Sequence, residues 1–128
     1  MFSQAFKNPQ RAQQLSKLLS EKILILDGAM GTMIQNFNLE EEDFRGQRFK
    51  DHSLPLRGNN DLLTLTQADK IAGIHYDFLQ AGADLIETNT FNSTSISQAD
   101  YGMQDLVREL NFASAEMART EADKFEAQ

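Results

Sequence analysis

Two stretches carry side chains able to bind a small polar ligand: Asp27-Gly28-Ala29-Met30-Gly31-Thr32, and the group Glu87, Asn89 and Asn92. Glycines let the backbone approach a ligand closely, and N–H groups bared in this way bind carboxylate or phosphate. Asp27 can pair with an ammonium group. Glu87 can be a second such acceptor or orient the first. Together these parts can hold an α-amino acid by both of its charged ends. Each also has a plainer reading. Asp-Gly is by itself more often a turn than a site. Asn89 and Asn92 can cap a following helix, the role that spacing favours for Asn92. Glu87 is harder to set aside, because an inward carboxylate in an apolar strand must be paired or solvated.

Other polar residues point away from several chemistries. The Gly28 to Gly31 spacing satisfies neither the dinucleotide nor the P-loop fingerprint. His75 lies on an apolar stripe and reads as a core or boundary histidine, while His52 is isolated in a loop. Two such distant histidines make no metal site. The run Glu40 to Asp43 reads as a solvated face, and Gly58-Asn59-Asn60-Asp61 as a solvated turn. The chain has no cysteine, which excludes disulfides and thiolate metal sites within this stretch.

The elements that must position these residues follow from periodicity. A leading helix over 9–20 opens at Pro9, whose missing N–H costs nothing at a first helical position. Ile23-Leu24-Ile25-Leu26 suits a strand buried on both faces, as in a parallel sheet. A long connection over 31–65 follows, of a length that is functional or contains small elements of its own. Thr66 and Asp69 resemble a capping box. The helix they would open carries Ile71, Ile74, His75, Phe78 and Leu79 on one stripe, with Gly82 placed for a left-handed cap. Leu85 to Phe91 reads as a second strand, with Leu85, Glu87 and Asn89 on one face. A long helix from Met103 to about Glu126 completes the order. Strands alternating with amphipathic helices predict an α/β class with parallel connectivity. In such folds ligands collect at the C-terminal strand ends, where Asp27 and Glu87 lie.

Composition sets the outer bounds. The 128 residues, 41% of them apolar, suit one packed domain rather than a disordered tail. Twelve Lys and Arg against nineteen Asp and Glu give a net charge of −7, a poor match for nucleic acid or an anionic membrane. No apolar run approaches the roughly 20 residues that span a bilayer. The first residues do not read as a secretory signal, so a cytoplasmic protein is expected.

Leu26-Asp27-Gly28-Ala29-Met30-Gly31-Thr32-Met33-Ile34-Gln35 resembles the opening signature of the homocysteine S-methyltransferase domain. The resemblance continues through Asp43-Phe44-Arg45-Gly46, Gly58-Asn59-Asn60-Asp61-Leu62-Leu63, Ala81 to Thr94 and Asn111-Phe112-Ala113, covering about residues 10 to 125. The loop with Phe-Arg-Gly and Gly-Asn-Asn-Asp is more similar to the cobalamin-dependent members than to those using betaine or S-methylmethionine. The resemblance implies a (β/α)8 TIM-type barrel of which 1–128 is the N-terminal fragment, its first two βα units plus a leading helix. It implies methyl transfer from methyltetrahydrofolate, by way of cobalamin, to zinc-bound homocysteine, giving methionine. By family position Asp27 and Gly28 hold the charged ends of the amino acid, Glu87 and Asn89 line the barrel mouth, and the loop at Asn60 faces the methyl donor. Three cysteines hold zinc in the family, and they are expected downstream of this chain. Such a barrel needs about 250 residues and eight strands. Alone, the chain is expected to bind neither zinc nor cobalamin, to be inactive, and to self-associate through unpaired strand edges. Two other readings remain: a cobalamin-independent homocysteine methyltransferase, and a non-catalytic protein, either a helical binding or assembly module or a carboxylate binder built on the Gly28 to Gly31 loop.

Overall fold

The structure, a computed structural model, describes residues 8–128. The reading of the first residues as free of a secretory signal falls largely outside them. Helix α1 (Pro9–Glu21) starts as its sequence predicts, with proline in the first turn and the Asn8 side chain accepting the Arg11 N–H at 3.1 Å. It buries none of its residues fully. Arg11 ties it to the far end of the chain by a two-pronged bond to Glu126, one prong of 2.7 Å.

The sheet is smaller than the apolar runs suggest. Strand β1 (Leu26–Asp27) pairs in parallel with β2 (Leu85–Ile86), Leu26 opposite Leu85 and Asp27 opposite Ile86. Its entrance is fastened by Asp84, whose carboxylate accepts the Ile25 N–H at 3.0 Å and the Lys22 ammonium at 2.6 Å. The expectation that this strand is buried on both faces is not met: Ile23 is 92% exposed and Leu26 56%. A parallel strand is buried by neighbouring strands and by helices on both faces, and β1 has one strand neighbour. For the same reason β2 ends at Ile86 and does not run on to Phe91. The outcome is a helix-rich α/β arrangement around a two-stranded parallel sheet.

The long connection does contain its own elements: α2 (Met30–Gln35), α3 (Glu41–Arg45) and a 3-10 turn (Asn60–Leu62) leading into α4 (Leu63–Thr66). Helix α5 (Ala68–Gln80) follows. The capping box expected from Thr66 and Asp69 does not form, because Thr66 closes α4 and Gln67 makes the junction. At the other end of α5 the cap is as expected. Gly82 has φ of 101°, its N–H reaches Leu79 O, and the Ala83 N–H reaches Phe78 O, the paired bonds that a left-handed glycine makes possible. Helix α6 (Ser95–Ala99) is capped by Thr94, which accepts the Ser97 N–H, and not by Asn92. After a 3-10 turn at Gln104–Leu106, helix α7 (Val107–Glu126) packs along α5.

The core lies where α2 to α5 meet α7. Leu56, Leu62, Leu63, Ile71, Ile74 and Leu110 are at most 1% exposed, each stabilising the fold by about 1.5–3 kcal/mol. His75 sits among them as expected, 1% exposed with both ring nitrogens unpartnered. Burial holds its imidazole below the usual histidine range, with Glu121 acting in the opposite sense. Among the described residues no helix is long and apolar enough to cross a membrane.

Candidate functional site

The two strand exits touch. A side chain on Gly28 would bring its Cβ within 3.1 Å of the Glu87 N and 3.4 Å of the Glu87 Cβ. Glycine is therefore what lets β1 lie this close to β2, and it places the exposed carboxylates Asp27 and Glu87 at adjacent ends of parallel strands. The Gly28 N–H is held by the Asp27 carboxylate at 2.8 Å, and the Met30 N–H by Gly28 O at 2.6 Å. These two amides, expected to be bare, have internal acceptors. Beside the first turn of α2 the space is open, since a side chain at Gly31 would meet nothing within 4 Å.

Asn89 is placed differently from Glu87. It is 3% exposed, and its amide donates to Asn60 O at 2.8 Å and to Thr64 Oγ1 at 3.2 Å. Its own carbonyl lies 3.3 Å from Ser114 Oγ on α7. The residue thus joins the Asn60 turn to the exit of β2. Asn92 contributes its backbone there, the N–H donating to Asp61 at 2.8 Å.

The Gly58 to Asp61 segment is not the solvated turn its composition suggests. Asn59 and Asp61 are each 2% exposed. Asn59 and Gln98 exchange amide hydrogen bonds of 2.8 and 3.1 Å, and Gln98 also donates to Asn92 O. Asp61 Oδ2 accepts from Ser93 Oγ at 2.6 Å as well as from Asn92. Burial pushes the Asp61 carboxyl above the usual range, against the opposing pull of those two bonds.

The acidic run is likewise organised. Glu41 accepts the Leu56 N–H at 2.8 Å, the Arg57 N–H at 2.7 Å and the Arg45 Nε at 2.6 Å. Desolvation would push its carboxyl up, but these bonds outweigh it and hold it below the usual range. Arg45 in turn donates to His52 O at 2.6 Å and Leu54 O at 3.0 Å. Sequence reasoning missed Glu41, Arg45, Gln98 and Ser114 as organisers, and read Asp61 only as part of a motif. For Glu41 and Arg45 the one local signal was the length of the connection they fold.

A model of the homocysteine S-methyltransferase family matches residues 24–128. The chain belongs to that family.

The match opens at Leu24, two residues before β1, and takes in both strand exits and the whole buried junction. Helix α1 lies outside it, so the resemblance expected from about residue 10 narrows at that end. As a homocysteine S-methyltransferase domain the chain is associated with methyl transfer to the homocysteine sulfur. Among the described residues no three His, Asp or Glu side chains cluster as a metal site, and the sequence has no cysteine. These residues do not fit a thiolate zinc centre.

Proposed function

We propose that this chain forms the first two βα units of a (β/α)8 barrel that methylates homocysteine. Asp27 and Glu87 face the ammonium group, Gly28 keeps the two strand ends together, Asn89 braces the mouth, and the Asn60 turn borders the methyl donor. The observation that carries this reading is the Gly28 to Glu87 contact. It brings the exits of β1 and β2 into contact, with the exposed Asp27 and Glu87 at those exits, where parallel α/β folds bind ligands. The wide exposure of Ile23, Ile25 and Leu26 supports further strands beside β1.

For the methyl donor we favour cobalamin recharged by methyltetrahydrofolate, as in methionine synthase. The support is the order of Phe44-Arg45-Gly46 and Gly58-Asn59-Asn60-Asp61 within one long connection. Exposed carboxylates at the strand exits offer acceptors for the ammonium group of an amino acid. Zinc is no part of what these residues hold.

The test is a methyl-transfer assay on the protein joined to the residues that follow it in its gene, supplied with homocysteine and zinc. Methionine formed with methylcobalamin supports the full reading. Methionine formed only with betaine or S-methylmethionine moves it to the cobalamin-independent branch, and none from any donor sinks it. The same reading makes the 128 residues alone inactive and self-associating through the open edges of the β1–β2 pair. Sedimentation velocity that shows one compact monomer across concentrations refutes that part.

A further inference from the structure

We propose that Asp61 is a positioning residue, fixing the Asn60 turn and the exit of β2 in one arrangement so that the two edges of the candidate site cannot move independently. The reaction it would serve is the methyl transfer proposed above, and the inference rests on that reading for its catalytic consequence.

Asp61 is 2% exposed, and its Oδ2 takes both the Asn92 N–H at 2.8 Å and the Ser93 hydroxyl at 2.6 Å. Its neighbour Asn60 uses its carbonyl to receive the Asn89 amide at 2.8 Å. Consecutive residues of one turn thus grip consecutive parts of the segment 89–93. Ser93 O is held in addition by Asn111 Nδ2 of α7 at 2.8 Å, so the gripped segment is backed by a long helix. Among the described residues no cation contributes to the surroundings of the carboxylate. A buried carboxylate without a cation works against stability, so a role in holding geometry accounts for it better than a role in holding the fold together. Its short side chain reaches both donors from one oxygen, which leaves the segment little freedom. Glu87 begins the stretch that Asp61 ends, and the Asn60 turn lies on the other side of the grip. Holding both is what aligning an acceptor with a donor requires.

The test combines peptide-resolved hydrogen exchange with steady-state methyl transfer, on the enzyme with its remaining barrel units. In Asp61→Ala, exchange over 59–64 and 87–93 should rise together by about tenfold, with α1 and the C-terminal half of α7 unchanged. The kcat should fall by about 10–100-fold while the KM for homocysteine stays within about threefold, the signature of lost alignment. Asp61→Asn, whose amide oxygen can accept both bonds, should recover most of the loss. If Asp61→Ala fails to fold, Ser93→Ala removes one bond of the pair and should show the same pattern more weakly. Uniform acceleration of exchange through the whole chain, or an unchanged 87–93 segment, overturns the proposal. Failure of Asp61→Asn to recover activity also overturns it, because the charge and not the geometry would then be what matters. A wild-type enzyme inert towards homocysteine, with the exchange pattern still local, sinks the methyl-transfer reading and leaves the grip standing.

Discussion

The exit of β1 and the junction between the Asn60 turn and the exit of β2 are both polar, yet they are built in opposite ways. At the first, Asp27 and Glu87 stand exposed, and a side chain at Gly31 would touch nothing. At the second, Asn59, Asp61, Asn89, Gln98 and Ser114 are at most 3% exposed, each hydrogen-bonded to a partner within a junction of four segments. A polar group bound for a ligand must remain free to exchange water for it. A polar group that holds a shape must have its partners already and exclude water. The difference teaches where to look for each: chemistry at the open carboxylates, rigidity a few residues further along the same chain.

That contrast can be broken at the junction. Leu62 closes the 3-10 turn and is fully buried. Leu62→Ala should cost about 2–5 kcal/mol in urea unfolding, by lost transfer energy plus the cavity left behind. Gln98→Ala should cost about 1–3 kcal/mol, because Asn59 is left buried with its amide unpaired. A stability within error of wild type for Gln98→Ala would mean the junction is wetter than its geometry.

The buried histidine of α5 sharpens the contrast by titration. Burial lowers the folded-state pKa of His75 below the value of 6.5 expected when unfolded. Between those two values the unfolded chain binds the proton and the folded chain does not, so stability rises with pH. It should be complete above about pH 6.5 and be lost as pH falls from there toward the folded value. Urea unfolding from pH 7.5 down to 5 should show this slope in wild type, and His75→Leu should remove it. Carboxylates such as Glu41, held low by their partners, act in a separate and more acidic window.

At the open end the effect on stability should be smallest. Asp27→Ala and Glu87→Ala, singly or together, should shift unfolding by no more than about 0.5 kcal/mol, as exposed groups do. In the methyl-transfer assay the same variants should raise the KM for homocysteine. Stability loss as large as that of Gln98→Ala would erase the distinction between the two regions.

Much of this was visible in the sequence wherever the cause was local. The stripe Ile71, Ile74, His75 and Leu79 is buried as its spacing predicts, and Gly82 takes the left-handed cap. Asp27 and Glu87 fall at strand ends because each closes a short apolar run. Strand length was not visible, because it depends on what lies beside the strand, and Ile23 looks the same whether covered or bare. The junction was hidden for a related reason. Asp61 and Gln98 are polar letters in polar stretches, and only partners far along the chain decide that they are buried. Glu41 differs from its acidic neighbours solely because Arg45 and the amides of Leu56 and Arg57 converge on it.

Arg45 gathers the carbonyls of Phe49, Lys50, His52 and Leu54 around one guanidinium. A protease has to draw a segment out straight before it can cut, and this stretch offers trypsin Arg48, Lys50 and Arg57. Straightening any part of it means prising the carbonyls off Arg45 together, so the longest stretch without regular structure should be cut no sooner than the ends of the chain.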